Sequence, residues 1–256
     1  MWVSLPFANL VIEEYYTPNP NTGTLPTTAI SGAVIMSPVH PFLDPQTSLS
    51  QRTQYQKPGV GRRYWDLRDA AILSWVSGTP TLDLGCGEGI TLEKLVASGA
   101  DPSRVFGIDL DPTNATICRQ NALPFVRADL GALPIRSGSI GCVLWIEVIE
   151  HLDSPQTALQ EIRRVLRPDG RLIVLFPNDL AMFAARVVAC RWLEAAADPH
   201  HVRQWTPRSI RKLLKNECFR IEQERALPID CWPWALHYAV LAIPGDPGEK
   251  SFPTPA

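Results

Sequence analysis

The segment DLGCGEG, at residues 83–89, constrains the fold more than any other feature of this chain. It follows TLDL, which has the length and apolar character of a buried strand. It precedes ITLEKLVASG, whose apolar positions have helical spacing. Glycines at positions 85, 87 and 89 let the backbone turn tightly and approach a ligand without side-chain obstruction. A strand, a glycine-rich turn and a helix in this order predict the first unit of a parallel α/β sheet.

The alternation of strands and helices continues from about residue 56. Further strands are predicted at RVFGIDL, PFVRADL, IGCVLWIE and RLIVLFPN, with amphipathic helices among them and a turn at RPDG. Two last strands, FRIEQERALPI and HYAVLAIP, predict an antiparallel end of the sheet. We therefore predict an α/β fold, a doubly wound, Rossmann-like, seven-stranded sheet with an antiparallel last strand and helices on both faces.

Composition changes along the chain and divides it into two parts. Residues 1–55 are rich in proline and threonine, and they predict an irregular or partly disordered N-terminal extension. Residues 56–256 predict the α/β domain. Within it, residues 180–206 predict a helical insert that covers an acceptor pocket. Three aromatic residues of this insert either line the pocket or pack into the core: Phe183, Trp192 and Trp205.

The overall composition excludes several classes of protein. A formal net charge of −2 leaves no global footprint for nucleic acid. The six cysteines have no CxxC spacing, which argues against a zinc ribbon and fits a reducing cytosol. No apolar run reaches the roughly 18 residues of a membrane span. No Lys or Arg precedes Arg52, so a signal peptide is not expected. The sequence predicts a cytoplasmic protein without a membrane partner.

An acidic residue follows the second predicted strand at the position that a nucleoside site requires. Asp109 lies twenty residues beyond Gly89. A carboxylate there can accept hydrogen bonds from both ribose hydroxyls of an adenosine. The GxGxG spacing differs from the GxGxxG of nicotinamide sites, which leaves a nicotinamide enzyme as the weaker alternative.

Over roughly residues 60–180, these motifs resemble the class I S-adenosylmethionine-dependent methyltransferases. DLGCGEG is similar to the first motif of that family and GIDLDP to the second, while RADLGALP is similar to the third. The resemblance implies that Asp83 lies near the amino-acid end of the cofactor, Asp109 at the ribose and Asp129 at the adenine amino group. The implied cofactor-binding residues are Asp83, Gly85, Cys86, Gly87, Gly89, Asp109, Leu110, Asp129, Leu130 and Ile146.

Some of these residues have simpler interpretations. Cys86 is a small buried residue and not a nucleophile, Asp111 either caps the following helix or contacts ligand, and Asp129 is alternatively a turn residue. Gly141 departs from the family, whose members usually carry Asp before the fourth strand.

Three ionisable residues lie where the fourth strand is predicted to stop, in IEVIEHLDSP. If a helical turn begins at Glu147, the i+3 and i+4 spacings place Glu150 and His151 on the same face. Two carboxylates and an imidazole are a partial ligand shell for Mg²⁺, Mn²⁺ or Zn²⁺. The segment DPHHVRQWTP offers a further ligand, His201, with His200 as a rival.

Two groups of methyltransferases carry a similar ExxEH followed later by His. These are the ubiquinone-pathway O-methyltransferases and the small-RNA 3′-terminal 2′-O-methyltransferases. The resemblance implies a divalent metal on Glu147, Glu150, His151 and His201. In other class I methyltransferases a similar stretch carries no metal, so His151 alternatively faces the acceptor directly, and a purely structural joint is a third interpretation.

Taken together, the sequence predicts an S-adenosylmethionine-dependent methyltransferase that O-methylates a small molecule. The predicted catalytic residues are His151, Glu147 and Glu150. A metal-dependent RNA 2′-O-methyltransferase is the alternative enzyme, since Arg203–Arg220 includes a basic cluster that either meets RNA or is a solvated helix face. A cofactor-binding scaffold subunit without catalysis is the alternative of another class.

Residues 62–65 either close over the cofactor's methionine carboxylate or pack the leading helix.

Overall fold

The computed structural model describes Arg52, Tyr55, residues 58–188 and residues 202–245. The described α-helices are α1 Val60–Leu73, α2 Ile90–Ala97, α3 Pro112–Gln120, α4 Pro155–Val165, α5 Asp179–Val188 and α6 Pro207–Asn216. The strands are β1 Thr81–Leu84, β2 Val105–Asp109, β3 Phe125–Arg127, β4 Ile140–Ile146, β5 Leu166–Pro177, β6 Phe219–Leu227 and β7 His237–Pro244. Short 3₁₀ helices span Pro102–Arg104, Ile149–His151 and Trp232–Trp234.

The strands form one seven-stranded sheet in the order β3-β2-β1-β4-β5-β7-β6. Strand β7 runs antiparallel to both of its neighbours, β5 and β6, whereas the pairs among β1 to β5 are parallel. The predicted fold class is therefore confirmed. The strand order reverses between β1 and β4, and open α/β sheets bind ligands in the crevice at such a reversal, beyond the carboxyl ends of the strands.

Both faces of the sheet are covered, because neighbouring residues of a strand point to opposite sides. Val143 and Trp145 of β4 belong to a core shared with α4 and α6. Cys142 and Leu144 belong to a second core shared with α1, α2 and α3. Burial on both faces explains why the central strands read as continuous apolar runs.

The RPDG segment is not a turn that precedes β5, which corrects the prediction. It lies within the strand, whose pairing with β4 is irregular at this point. Leu166 pairs with Ile140 and Arg171 pairs with Cys142, so residues 167–170 lie opposite the single residue Gly141. Proline cannot donate to the strand ladder, and the extra residues are accommodated as a bulge.

The predicted division into an extension and a domain lies partly outside the described residues. Residues 1–51 are outside them, as are residues 189–201 of the predicted insert, which include Trp192. Trp205 packs into the core with 6% of its surface exposed, and its indole N–H donates to the Ile149 carbonyl oxygen at 3.3 Å. Phe183 remains 47% exposed. None of the described helices has the length and apolar character that crossing a membrane requires.

Candidate cofactor and acceptor site

The glycine-rich loop after β1 adopts a conformation that only glycine supports well. Gly85, Gly87 and Gly89 have φ values of 70°, 53° and 78°, in the left-handed region. A Cβ atom on Gly85 would lie 2.4 Å from a methyl carbon of Val148, which follows β4. The loop backbone therefore packs directly against the end of β4. This close approach explains the glycine at position 85 independently of any ligand.

Asp109, at the end of β2, ties the loop to the next βα joint. Its Oδ2 accepts a hydrogen bond from the Gly87 backbone N–H at 2.9 Å, and its Oδ1 accepts one from the Asp111 N–H at 2.9 Å. A carboxylate oxygen has two acceptor sites, so each oxygen can still accept a ribose hydroxyl. Asp111 is the N-cap of α3, because its side chain accepts from the Thr113 N–H at 2.6 Å. The capping interpretation of Asp111 is confirmed.

Asp83 lies beneath the same loop and is almost completely buried, at 2% exposure. Among the described residues, its Oδ2 has no hydrogen-bond partner. Burial, together with the charges of Asp109 and Asp69, raises the pKa of Asp83 to about 7. Burying an ionised carboxylate costs free energy unless a cation or a hydrogen-bond donor contacts each of its oxygens. This atom therefore fits the ammonium group of an amino-acid ligand.

The remaining predicted cofactor residues surround this loop with different exposures. Leu110 is 56% exposed, and its carbonyl oxygen accepts from Arg127 Nε at 2.8 Å. Asp129 is exposed, and its Oδ1 accepts from the Gly131 N–H at 2.7 Å. This hydrogen bond makes Asp129 a turn residue, as its simpler interpretation predicted. Its oxygens also keep acceptor capacity for an adenine amino group. Leu130 and Ile146 are half-buried.

Cys86 and Gly141 have packing explanations. Cys86 is 7% exposed, and a Cβ on Gly107 of β2 would lie 2.5 Å from its sulfur. A Cβ on Gly141 would lie 2.5 Å from the Thr79 backbone nitrogen, so a side chain at this position meets backbone that cannot yield. An aspartate at position 141 would therefore collide with the chain that precedes β1.

Glu147, directly after β4, is the centre of a network of charged groups. Its Oε2 lies 2.7 Å from Arg68 of α1, and its Oε1 lies 2.8 Å from Nε2 of His237. The other ring nitrogen of His237 lies 2.6 Å from the Tyr64 hydroxyl, and Arg68 also donates to Asp69 at 2.8 Å. Burial disfavours the charge of Glu147, but Arg68 and His237 overcome it and hold the pKa of this carboxyl well below its usual range.

The backbone at Glu147 contradicts the geometry on which the predicted common face depends. Glu147 has a φ of 53°, and the helical turn begins at Ile149, so Glu147 lies outside the turn that holds Glu150 and His151. The left-handed backbone redirects its side chain toward Arg68 and His237. Glu147 therefore belongs to the network with α1 and β7.

Glu150 and His151 lie in the 3₁₀ turn that follows. Glu150 is 2% exposed and His151 is half-buried. The Glu150 carbonyl oxygen accepts from the Val202 N–H at 2.9 Å and from the Arg203 N–H at 3.3 Å. The chain just after His201 is thus held against this turn, while His200 and His201 themselves lie outside the described residues. Within the part of the chain that the structure describes, no group of three or more His, Cys, Asp or Glu side chains could hold a metal ion.

The sequence reasoning did not single out Arg68 and His237. The residues predicted to close over the cofactor were 62–65, yet Arg62 pairs with Asp66 within α1 at 2.9 Å. The available signal was a histidine at the start of an otherwise apolar strand, HYAVLAIP, where a buried imidazole needs polar partners. Its partners are 173 and 90 residues away in the chain.

Comparisons with known proteins agree with the motifs and the sheet. Residues 82–174 match the methyltransferase domain family. The chain has the fold of an S-adenosylmethionine-dependent methyltransferase from Thermotoga maritima, with a TM-score of 0.58 and 15% identity over 71% of this chain and 90% of that one. Residues 82–174 are therefore similar to a methyltransferase domain and the sheet has the class I fold, so the predicted resemblance is confirmed.

Three relatives show how far the similarity extends. An uncharacterised protein in transposon TN4556 of Streptomyces fradiae is 41% identical over 106 residues, or 40% of this chain and 31% of that protein. A probable S-adenosylmethionine-dependent methyltransferase of Mycolicibacterium smegmatis is 29% identical, with 64% and 63% covered. A ubiquinone biosynthesis O-methyltransferase of Cereibacter sphaeroides is 26% identical, with 69% and 75% covered. This chain thus spans less than two thirds of the length of the first two relatives.

Proposed function

We propose that this protein is an S-adenosylmethionine-dependent methyltransferase that transfers a methyl group to a hydroxyl of a small molecule. The observation that carries the proposal is the pair of carboxylates at the glycine-rich loop. Asp109 is hydrogen-bonded to Gly87, and the buried Asp83 has an open oxygen beneath the same loop. Both lie beside the reversal of strand order, where this class of sheet binds its ligands.

When bound, the cofactor would supply an activated methyl group on a sulfonium. The chain would contact it at four places. Asp109 would accept the ribose hydroxyls, Asp83 would accept from the ammonium, and the glycines at 85, 87 and 89 would let the loop backbone approach the ligand closely. Asp129 would accept from the adenine amino group. The contribution of the chain to rate is then chiefly positioning, which reaches about 7–11 kcal/mol in favourable cases.

The acceptor side of the proposed site lies at the carboxyl ends of β4 and β5. Glu147 and His151 follow β4. We propose that His151 orients the acceptor, that Glu147 acts through its contacts with Arg68 and His237, and that the buried Glu150 supports the turn. The relative named a ubiquinone biosynthesis O-methyltransferase supports oxygen as the methylated atom. The likeness is low, so the support extends to the reaction type and not to the acceptor.

A divalent metal remains an alternative role for the same residues. The ligands would be Glu147, Glu150, His151 and His201. Both oxygens of Glu147 already contact Arg68 and His237, and a carboxylate held by two such donors is a poor ligand for a second cation. This contact favours the metal-free role. A Mn²⁺ titration of thermal stability distinguishes the two roles, because only a bound ion gives a saturable shift that His201→Ala removes.

RNA as the acceptor is supported less well. In the basic cluster, Arg211 pairs with Glu224 at 2.8 Å and Arg220 pairs with Glu222 at 3.0 Å. Charges neutralised by neighbouring carboxylates contribute little to phosphate binding. We therefore propose a small-molecule partner. The free thiols of Cys86, Cys118 and Cys142 support a reducing compartment, which we propose to be the cytosol.

Binding of S-adenosylhomocysteine, measured by isothermal titration calorimetry, tests the cofactor site. We expect saturable binding by the wild type and a loss of at least tenfold in affinity for Asp109→Asn, since each charge-assisted hydrogen bond contributes about 1.5–3 kcal/mol. Asp101→Asn is the matched control. Asp101 is also a capping carboxylate, but it lies before β2, at the opposite end of that strand.

Transfer of tritium from methyl-labelled cofactor then tests activity. Methylation of a phenol or catechol supports the proposed function. Binding without transfer to any acceptor in a broad panel would support the scaffold subunit instead. Equal binding by Asp109→Asn and Asp101→Asn would contradict the assigned cofactor site.

A further inference from the structure

The imidazole of His237 is hydrogen-bonded at both of its ring nitrogens, although it is fully buried. Nε2 lies 2.8 Å from Glu147 Oε1 and Nδ1 lies 2.6 Å from the Tyr64 hydroxyl. Arg68 holds the other carboxylate oxygen of Glu147 at 2.7 Å. A carboxylate, an imidazole and a hydroxyl therefore form a continuous series of hydrogen-bonded groups, called here the line. This is the order of groups in which a hydroxyl is activated by a neighbouring base.

The charges in this line determine the direction of its hydrogen bonds. Glu147 stays ionised beside Arg68, so it can only accept, and the facing Nε2 of His237 must donate. When the imidazole carries one proton, that proton lies on Nε2, and Nδ1 is an acceptor for the Tyr64 O–H, which also lies 3.5 Å from the Leu227 carbonyl oxygen. Burial raises the pKa of Tyr64 well above its usual range, so the phenol keeps its proton and donates it toward His237.

Tyr64 and Glu147 are the two half-buried ends of this line, and both carboxylate oxygens of Glu147 are already engaged by Arg68 and His237. His237 begins β7 and pairs with Pro177, the last residue of β5, so the line lies at the carboxyl edge of the parallel strands. Tyr64 is half-buried, whereas His237 is fully enclosed. The phenolic oxygen donates one hydrogen bond and keeps acceptor capacity for a second hydroxyl. In this line, the Tyr64 oxygen and not the enclosed His237 ring therefore has capacity for the hydroxyl of a ligand.

We propose that Tyr64, His237 and Glu147 form a proton relay that deprotonates the hydroxyl of the methyl acceptor. This inference rests on the proposed methyltransferase function and deepens it. The acceptor oxygen forms a bond to the methyl carbon as the bond between that carbon and sulfur breaks, with its electron pair staying on sulfur. The acceptor proton moves to the Tyr64 oxygen while the Tyr64 proton moves to Nδ1 of His237. The resulting imidazolium is stabilised by Glu147, and Arg68 is a positioning residue for that carboxylate.

The relay specifies a class of acceptor. It increases the rate for acceptors whose hydroxyl group is still protonated at the pH of the reaction, such as simple phenols, catechols and alcohols. It gives no advantage to an acceptor that is already ionised. The dependence of the rate on acceptor acidity therefore distinguishes a relay from a purely structural contact.

Tyr64→Phe tests the relay, since it keeps the ring and removes only the hydroxyl. Tyr55→Phe is the matched control. The Tyr55 hydroxyl contacts Arg68 and Asp69 in the same network but does not contact His237. Initial rates of the full-length chain would be measured with catechol and with 4-nitrocatechol, whose nitro group makes it ionise near neutral pH. Binding of S-adenosylhomocysteine would be measured for every variant.

With catechol, we expect Tyr64→Phe to lower kcat by about 100-fold or more, the usual contribution of a positioned acid or base. With 4-nitrocatechol at a pH where it is ionised, the loss should shrink to about threefold or less. Tyr55→Phe should retain wild-type rates within about threefold on both, and both variants should bind S-adenosylhomocysteine like the wild type. Equal losses in the two variants, or an equal loss of Tyr64→Phe on both acceptors, would overturn the relay.

Two further outcomes separate the relay from the proposed function. Absence of S-adenosylhomocysteine binding contradicts the methyltransferase proposal, whatever the tyrosine variants do. Binding without methylation of either catechol overturns the relay and leaves the cofactor site standing. A measurement without turnover is ¹⁵N NMR of histidine-labelled protein at pH 8. The relay requires the Nε2–H tautomer of His237, and the opposite tautomer or an imidazolium would overturn it.

Discussion

Under the proposed function, the buried Asp83 should make cofactor affinity depend on pH, and the size of the effect can be worked out. In the free protein the pKa of Asp83 is about 7, so this carboxyl is half protonated at pH 7. If only the ionised form accepts from the ligand's ammonium, the apparent Kd rises by the factor 1 + 10^(7−pH). That factor is about 1.1 at pH 8 and about 11 at pH 6, a tenfold change that equals about 1.4 kcal/mol.

Calorimetric titration of S-adenosylhomocysteine at pH 6, 7 and 8 measures this effect. The ammonium and carboxylate of the ligand keep their charges over this range. Wild type and Asp101→Asn should both weaken about tenfold from pH 8 to pH 6. Asp83→Asn should bind more weakly at pH 8 and change little with pH. The difference between the slopes isolates Asp83 from other titrating groups, His151 among them.

The same carboxyl also determines a pH dependence of stability without ligand. Folding raises its pKa from the usual 3.8, so folding favours the protonated form. This stabilisation is fully present below pH 3.8, declines as the pH rises, and is lost above about pH 7. The wild-type Tm should therefore fall from pH 5 to pH 8 by more than that of Asp83→Asn. Two results would refute the assigned role of Asp83. One is a wild-type affinity that does not change between pH 6 and pH 8, and the other is an Asp83→Asn variant whose affinity changes with pH as much as that of the wild type.

Three further predictions concern stability, each measured by thermal or urea unfolding. Gly85→Ala should cost about 1–3 kcal/mol more than Gly138→Ala, because both glycines have positive φ but only Gly85 has a side chain in the way; equal costs would contradict the packing. Gly141→Asp should destabilise by about 1–3 kcal/mol instead of restoring a family contact, and an unchanged Tm would show that the backbone there yields. Glu147→Gln should lower the Tm at pH 7, with the difference shrinking below pH 4.5, because the lowered pKa gives stability that is lost on acidification; a difference that is constant with pH would contradict the ionic contact.

The elements of the sheet were predictable because local patterns determine them. A strand such as IGCVLWIE is apolar on both faces, and glycines such as Gly85 after β1 and Gly99 after α2 mark the ends of elements. The RPDG bulge was not predictable in this way. The four residues look like a connection between elements, and only the pairing of Leu166 with Ile140 shows that the strand has already begun.

The candidate site was predictable where a motif is continuous in the chain. Asp83, the glycine-rich loop and Asp109 lie within one βα unit and the next strand, so spacing alone brings them together. Arg68, Glu147 and His237 come from three distant segments, and no periodicity records their contact. The left-handed backbone of Glu147 was also beyond reach, since a glutamate gives no local signal for positive φ.

Strand β7 has a consequence for how this domain can vary. Parallel strands deliver their last residues to the functional edge, but an antiparallel strand delivers its first. The short connection from Leu227 to His237 therefore belongs to the same rim as the ends of β4 and β5. The strands that it joins, β7 and β6, lie four and five places from β2, which carries Asp109, in the sheet order. Under the proposed function, substitutions in this connection would change the acceptor side of the site and leave the cofactor contacts of Asp83 and Asp109 unchanged.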